Sequence, residues 1–302
     1  SVMGSEDFIR MNIGYVNGQF VANPLTRAAG VTMSLVRADG LLVVPSDHLG
    51  YEQGEIAEVE LYKPVELIKN SILFSGSHDL SIDVLSSLMK KRDVSRQIIS
   101  SHTGSMAGLM AIRKGEAHVA GIHLLHEETG EYNHPFVKQY LAGLDVVLVR
   151  FLQREQGWIV PKGNPKGIKT LSDLITNDTL YVNRQRGAGT RMLLDYMLKK
   201  EGIDPDQIKG YTREMYSHLS VAAAVKEGTA DTGLGIYSAA NALGLDFIPV
   251  GYESYDLVMT REFYESEAGQ LLLEIMTSSE FAEEVEKLGG YKVEGTGELI
   301  SF

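Results

Sequence analysis

Nine consecutive residues carry the densest chemistry in this sequence: Asn183-Arg184-Gln185-Arg186-Gly187-Ala188-Gly189-Thr190-Arg191. Three guanidinium groups, two glycines and a hydroxyl lie between an apolar run, Leu180-Tyr181-Val182, and a helix-like run from Met192 to Lys200. The spacing predicts a strand, a tight turn and a helix N-terminus. Backbone N–H groups in the first turn of a helix have no intrahelical partner, and the helix dipole adds partial positive charge there. Glycines let an anion approach that backbone, and Thr190 adds a donor. The chemistry on offer is capture of a small oxyanion. The same residues suit an ordinary turn whose arginines face water, and taken alone the stretch leaves both readings open. It is neither a Walker loop nor a dinucleotide fingerprint, because the Gly-Lys-Ser/Thr and G-x-G-x-x-G spacings are absent.

Three other places repeat the pattern of a strand ending in small polar residues before a helix: Ser77-His78, Thr103-Gly104-Ser105 and Tyr237-Ser238. Such residues are good helix caps in their own right. Four of them together favour a cleft where strand C-termini meet helix N-termini. A tetrahedral dianion accepts hydrogen bonds and donates none, so N–H and O–H groups from several such turns would satisfy it. The candidate ligand-binding residues are Ser77, His78, Thr103, Gly104 and Ser105 from one lobe. From the other come Arg184, Arg186, Gly187, Gly189 and Thr190, with Tyr237 as a wall or lid. Arg184 equally suits a carboxylate partner.

No paired carboxylates and no nucleophile–base spacing stand out, so no catalytic residue is assigned. His118, His123 and His126 with Glu127 invite a metal reading. Their spacing shares a strand face poorly, and no metal site is expected. Trp158 reads as a hinge or core residue.

The 302 residues suffice for two domains. With 44% hydrophobic and 23% charged residues the composition is that of an ordinary globular protein. Cysteine is absent, which excludes disulfides and thiolate chemistry. A net charge of −12 argues against broad nucleic-acid binding, and an anion would have to be held by locally aimed donors. No apolar run reaches the roughly 18 residues of a membrane helix, and no basic-then-apolar leader opens the sequence. The expectation is a cytoplasmic protein with neither nucleic acid nor membrane as partner.

The elements that must position these residues fall into two kinds. To about Lys69 the pattern is all-β. Phe8 to Met11 alternates, and Asn17-Gly18 between β-rich pairs predicts a hairpin. Val31 to Val36 suits a strand or a short helix, Leu41 to Pro45 a strand, and Ile56 to Tyr62 a period-two strand. From Ser71, strands and helices alternate in two similar halves. The expected organisation is a small β domain over residues 1–66 followed by a two-lobed α/β domain over 70–302. Lobe one takes about 70–152 plus 247–302, and lobe two about 153–246. Hinges are expected near Phe151–Val160 and Leu245–Val250.

Two resemblances go further. Asn23-Pro24-Leu25-Thr26-Arg27-Ala28-Ala29-Gly30-Val31, Ser34-Leu35-Val36-Arg37-Ala38-Asp39-Gly40-Leu41 and Gly50-Tyr51-Glu52-Gln53-Gly54-Glu55 resemble the C-terminal β domain of molybdopterin molybdenumtransferases of the gephyrin type. In that family the domain follows larger domains that carry the cofactor-insertion chemistry. The resemblance therefore implies the C-terminal part of a longer enzyme, with those catalytic domains as partners in the same polypeptide and no metal insertion by this part alone. The second resemblance rests on Gly76-Ser77-His78-Asp79, Ser101-His102-Thr103-Gly104-Ser105, the run from Arg113 to Leu124, and the Asn183–Arg191 stretch. It is to the periplasmic-binding-protein-like domain fused to such transferases, similar to type II solute-binding proteins and to effector domains of LysR-type regulators. That fusion implies molybdate or tungstate as ligand, no tightly bound cofactor, and a place in molybdenum-cofactor biosynthesis. A different class of function is a regulatory module that senses a pterin or an organic acid. Which anion is bound, whether it is stored, delivered or sensed, and whether the chain forms a homodimer stay open.

Overall fold

A computed structural model describes residues 5–25 and 38–302. The run from Val31 to Val36, and most of the first two motifs of the transferase resemblance, lie outside the described residues. Contacts divide the chain into two compact units, Ser1–Leu73 with Met89–Ser100, and Phe74–Leu88 with Ser101–Phe302.

In the first unit, β1 (Asp7–Val16) and β2 (Gln19–Pro24) form an antiparallel hairpin. Its turn is Asn17-Gly18, both at positive φ (50° and 81°), as a two-residue turn of this kind requires. β3 (Gly40–Val44) and β4 (Val59–Leu61) complete a four-stranded sheet in the order β2-β1-β3-β4. β4 is shorter than its alternating sequence suggests, and Ile56 is exposed. Pro64 opens a short helix, α1 (Val65–Lys69), so the region to Lys69 is not all-β. Its Ile68 joins Met11, Ile13, Leu42 and Val44 in a small core. Asp39, fully buried, accepts from the Ile13 amide at 2.9 Å and from Lys63 Nζ at 2.6 Å.

Beyond it the chain alternates: β5 (Ser71–Gly76), α2 (Leu80–Arg92), β6 (Gln97–His102), α3 (Ser105–Lys114), β7 (Val119–Ile122), α4 (His134–Tyr140) and β8 (Val146–Val160). Then come α5 (Asp173–Thr176), β9 (Asn183–Arg184), α6 (Gly189–Glu201), β10 (Glu214–Met215), α7 (His218–Lys226), β11 (Gly233–Ile236), α8 (Tyr237–Ala242) and β12 (Asp246–Thr260). The tail holds α9 (Arg261–Glu265), α10 (Glu267–Met276), α11 (Ser279–Leu288), β13 (Tyr291–Lys292) and β14 (Leu299–Ile300). The fold class is thus a small antiparallel sheet followed by a two-lobed α/β fold. No helix among the described residues is long and apolar enough to cross a membrane.

An eight-stranded sheet runs in the order β11-β8-β12-β7-β5-β6, with β13 and β14 paired to β8. Its backbone is the pair β8 and β12, each 15 residues long and antiparallel from Asp246↔Val160 to Thr260↔Val146. The segments expected as hinges fall in this ladder, apart from Leu245, and its register shifts between Pro249 and Gly251 and between Tyr255 and Asp256. At one end Leu109, Ile122, Leu148 and Val258 form a core. At the other, Trp158, Tyr181, Leu194 and Leu234 form a second, and Ile159, Val182, Val221 and Ile236 a third. Trp158 is wholly a core residue. Gly115 and Gly202 end α3 and α6 in the left-handed conformation that glycine adopts without strain.

Candidate anion site

At the C-terminal end of β5 the chain must turn sharply, and Gly76 does so at φ 122°. A Cβ there would stand 2.3 Å from the Gly121 carbonyl oxygen, so only glycine fits. The turn delivers Ser77 to the wall of a cavity of about 230 Å³. Ser77 is pinned in place: its amide donates to Gly121 O at 3.0 Å, and its carbonyl accepts from Tyr255 Oη at 2.6 Å.

A chain of buried polar groups runs behind Ser77. Its Oγ lies 2.7 Å from His123 Nε2. His123 Nδ1 lies 3.1 Å from Glu253 Oε2. Glu253 Oε1 accepts from Arg154 Nη2, and Arg154 Nη1 donates to Asp79 Oδ2 at 2.8 Å. Tyr291 Oη donates to the same carboxylate at 3.1 Å. Sheet register explains the arrangement, because Arg154 on β8 pairs with Glu253 on β12 at one side and with Tyr291 on β13 at the other. The Arg154 guanidinium also stacks on the Tyr255 ring at 4.4 Å. Burial on its own would raise the Glu253 carboxyl, but Arg154 and His123 outweigh it and hold it down at about 2. Burial likewise opposes the Arg154 charge, and Glu253 with Asp79 reverses the effect. Burial lowers the His123 pKa, Glu253 only partly offsets it, and the balance favours the neutral ring.

The facing wall is different. Arg184 and His218 are almost fully buried, yet Arg184 Nη1 and both His218 ring nitrogens have no hydrogen-bond partner among the described residues. Arg184 is held from behind: Nε donates to Met215 O and Gln185 Oε1, and Nη2 to Tyr216 O. Burial, seconded by the Arg154 charge, pushes its pKa down to about 10. Burial and the charges of Arg184 and Arg154 keep His218 neutral. Buried donors of this kind are costly unless something pairs with them. The wall therefore presents unmet hydrogen-bonding capacity and one positive charge, while Leu80, Leu219, Ile236 and Ala239 supply an apolar lining. His78 and His102 stand edge to face on the same lining, their ring centroids 4.1 Å apart.

Of the residues singled out from sequence, Ser77, His78, Gly104 and Arg184 line this cavity. The others do not. Thr103 Oγ1 lies 2.9 Å from Ser75 Oγ and accepts from the Gly76 amide. Ser105 Oγ accepts from the His123 amide at 3.1 Å. Thr190 Oγ1 turns to Gln156, 3.5 Å away. Gly189 packs under His123, and Arg186 and Gly187 are exposed. Tyr237 packs edge-on against Phe247 at 5.4 Å. The Thr103 and Ser105 hydroxyls instead fasten the backbone at Gly76 and at His123. The α3 and α6 N-termini carry no side-chain cap. Arg191 pairs with Asp195 and Glu214 and stacks on Tyr211. Of the histidines weighed as metal ligands, His123 belongs to the relay, His118 lies against Phe263, and His126 meets Thr129.

His123, Glu253, Arg154 and His218 were not singled out as binding residues from sequence. The available signal was charge inside two largely apolar stretches, with Arg154 in one and Glu253 in the other.

Residues 86–277 match the PBP superfamily domain, and residues 1–62 match the MoeA C-terminal region (domain IV). Over 230 residues the chain is 33% identical to the uncharacterized protein YvgK of Bacillus subtilis (strain 168), covering 76% of this chain and 73% of that one. Among solved structures, a putative phosphate ABC transporter substrate-binding protein from Clostridium perfringens, with bound phosphate, aligns with TM-score 0.57 at 17% identity. That alignment covers 74% of this chain and all of the other. The tungstate ABC transporter structure from Geobacter sulfurreducens aligns with TM-score 0.55 at 17% identity, over 72% of this chain and 98% of that one. At such identities the likeness is one of fold. Taken with the match over most of the α/β region, it leads to one conclusion: the chain belongs to the PBP superfamily.

Proposed function

We propose that the cavity binds a small oxyanion, with the negative charge of the ligand against Arg184. The observation that carries this reading is a buried guanidinium on the cavity wall whose Nη1 has no partner among the described residues, beside a buried, unpartnered His218. A charge-assisted hydrogen bond there contributes about 1.5–3 kcal/mol, and a few together suffice for micromolar affinity. The net charge of −12 makes this local, and not a property of the overall field.

Phosphate and tungstate are the ligands named for the two fold neighbours, and the MoeA-type β region makes molybdate and tungstate candidates in the context of molybdenum-cofactor biosynthesis. A second reading, an organic acid or a pterin sensed by a regulatory module, is favoured by the apolar half of the lining, Leu80, Leu219, Ile236 and Ala239. Isothermal calorimetry with molybdate, tungstate, phosphate, sulfate and a set of small organic acids separates the two. Absence of heat from every one of them, with a folded protein by circular dichroism, would sink both.

A further inference from the structure

We infer that Ser77 meets its ligand as a hydrogen-bond acceptor, so the anion this site selects carries an O–H or N–H of its own. The inference deepens the proposed anion reading and rests on it. The path to it runs from the far end of the buried relay. Glu253 has both oxygens engaged, one by Arg154 and one by His123 Nδ1 at 3.1 Å, and is fully buried. A carboxylate next to a guanidinium is ionised and can only accept. His123 Nδ1 must then carry the ring proton. His123 is 1% exposed, and burial beside the Arg154 guanidinium disfavours a second ring proton, so Nε2 is left as a lone pair and the hydroxyl 2.7 Å away donates to it.

That fixes the direction of every bond in the relay. Ser77 has one proton and has committed it inward. Only its oxygen lone pairs remain for the cavity that it lines. Turning the hydroxyl outward would strand His123 Nε2 without a partner in a residue that is 1% exposed. Turning the residue itself is prevented at both ends of its peptide, by Gly121 O and by Tyr255 Oη.

The two walls therefore ask for opposite things. Arg184 offers a donor and a positive charge. Ser77 offers an acceptor. A ligand that satisfies both is an acid anion with a proton still on it. Monohydrogen phosphate is one such species, and a 2-hydroxy carboxylate is another. Near neutral pH sulfate, molybdate and tungstate carry no proton. Each would set a negatively charged oxygen against the Ser77 lone pairs. A site shaped to receive a donor rejects the analogue that lacks it, because the buried acceptor is left unpaired.

Calorimetry on the full chain at mildly alkaline pH tests this with two matched pairs, phosphate against sulfate and lactate against propionate, and with molybdate as a fifth ligand. In whichever pair binds, the donor-bearing member is expected to bind at least about tenfold more tightly. The Ser77→Ala substitution is expected to bring that ratio to within about threefold. Sulfate, propionate or molybdate binding as tightly as the protonated ligands overturns the inference and leaves the anion reading standing. Heat from none of the five, with the fold intact, takes down both. Nitrogen-15 NMR of the His123 ring gives a check that needs no ligand: the proton is expected on Nδ1, and finding it on Nε2 overturns the inference.

Discussion

Arg154 stands directly across the β8–β12 ladder from Glu253, and both side chains are essentially without solvent exposure. With Asp79 they form a buried carboxylate–guanidinium–carboxylate triad beneath the cavity. Removing the middle member strands two buried charges. Arg154→Met is expected to destabilise the fold by about 3–5 kcal/mol at neutral pH. Arg154→Lys is expected to recover little of it, since a single ammonium lacks the two-sided fork. Urea denaturation of the three proteins measures both.

Arg184 presents the reverse case. Its charge is buried, its pKa pushed down to about 10, and no carboxylate pairs with it among the described ion pairs. Arg184→Met relieves that burial but gives up the bonds to Met215 O and Tyr216 O. The two effects are expected to offset, leaving ligand-free stability within about 1 kcal/mol of the parent. Affinity for the anion is expected to fall by at least about tenfold. Denaturation and calorimetry on the same variant separate the two quantities, and loss of affinity without loss of stability is the signature of a binding residue.

Asp256 is 3% exposed, and burial raises its pKa from 3.8 to about 6 despite a hydrogen bond from Asn133. A group with a raised pKa contributes stability that is present below pH 4 and lost as pH rises through about 6. The loss is about 3 kcal/mol for such a carboxyl. The Asp256→Asn variant is therefore expected to gain on the parent between about pH 4 and 6 and to hold that advantage above. His123 and His218 act in the opposite sense, since depressed imidazole pKa values favour the fold above about 6.5. The difference between variant and parent, taken pH by pH from denaturation midpoints, isolates the Asp256 part.

Gly189 is expected to matter for His123 and not for direct contact with an anion. A Cβ at this position would lie 1.9 Å from the His123 carbonyl oxygen and 2.2 Å from its Nδ1. Gly189→Ala is expected to cost about 1–3 kcal/mol and to disturb the His123–Glu253 bond. Gly187→Ala meets no neighbouring atom, and only its positive φ of 82° opposes it, at a cost of about 1 kcal/mol. Denaturation of both variants, with the His123 NMR resonance as reporter, tells the two glycines apart.

Much of the organisation was legible along the chain because it is written in local spacing. The Asn17-Gly18 turn and the change from period-two to alternating strand and helix both depend on neighbours a few residues away. Local reading failed where burial overrides it. The apolar stretches 146–149 and 158–160 belong to one strand, β8, because Arg154 between them is buried by pairing with Glu253 and Asp79. The same reason joins Phe247–Val250 to Tyr255–Met259 in β12.

From residue order alone came the β region, the two-lobed α/β fold, the turn at Asn183–Arg191 and a place for Ser77 and Arg184 at strand ends. The tertiary structure decided which way their donors point. Ser77, Thr103, Ser105 and Thr190 are chemically fit to bind an anion, and only Ser77 lines the cavity. Its partner His123 lies 46 positions away, and that histidine is oriented by Glu253, a further 130 positions on. A hydroxyl's role is set by what receives its proton, and here that receiver is brought into place by packing across the sheet.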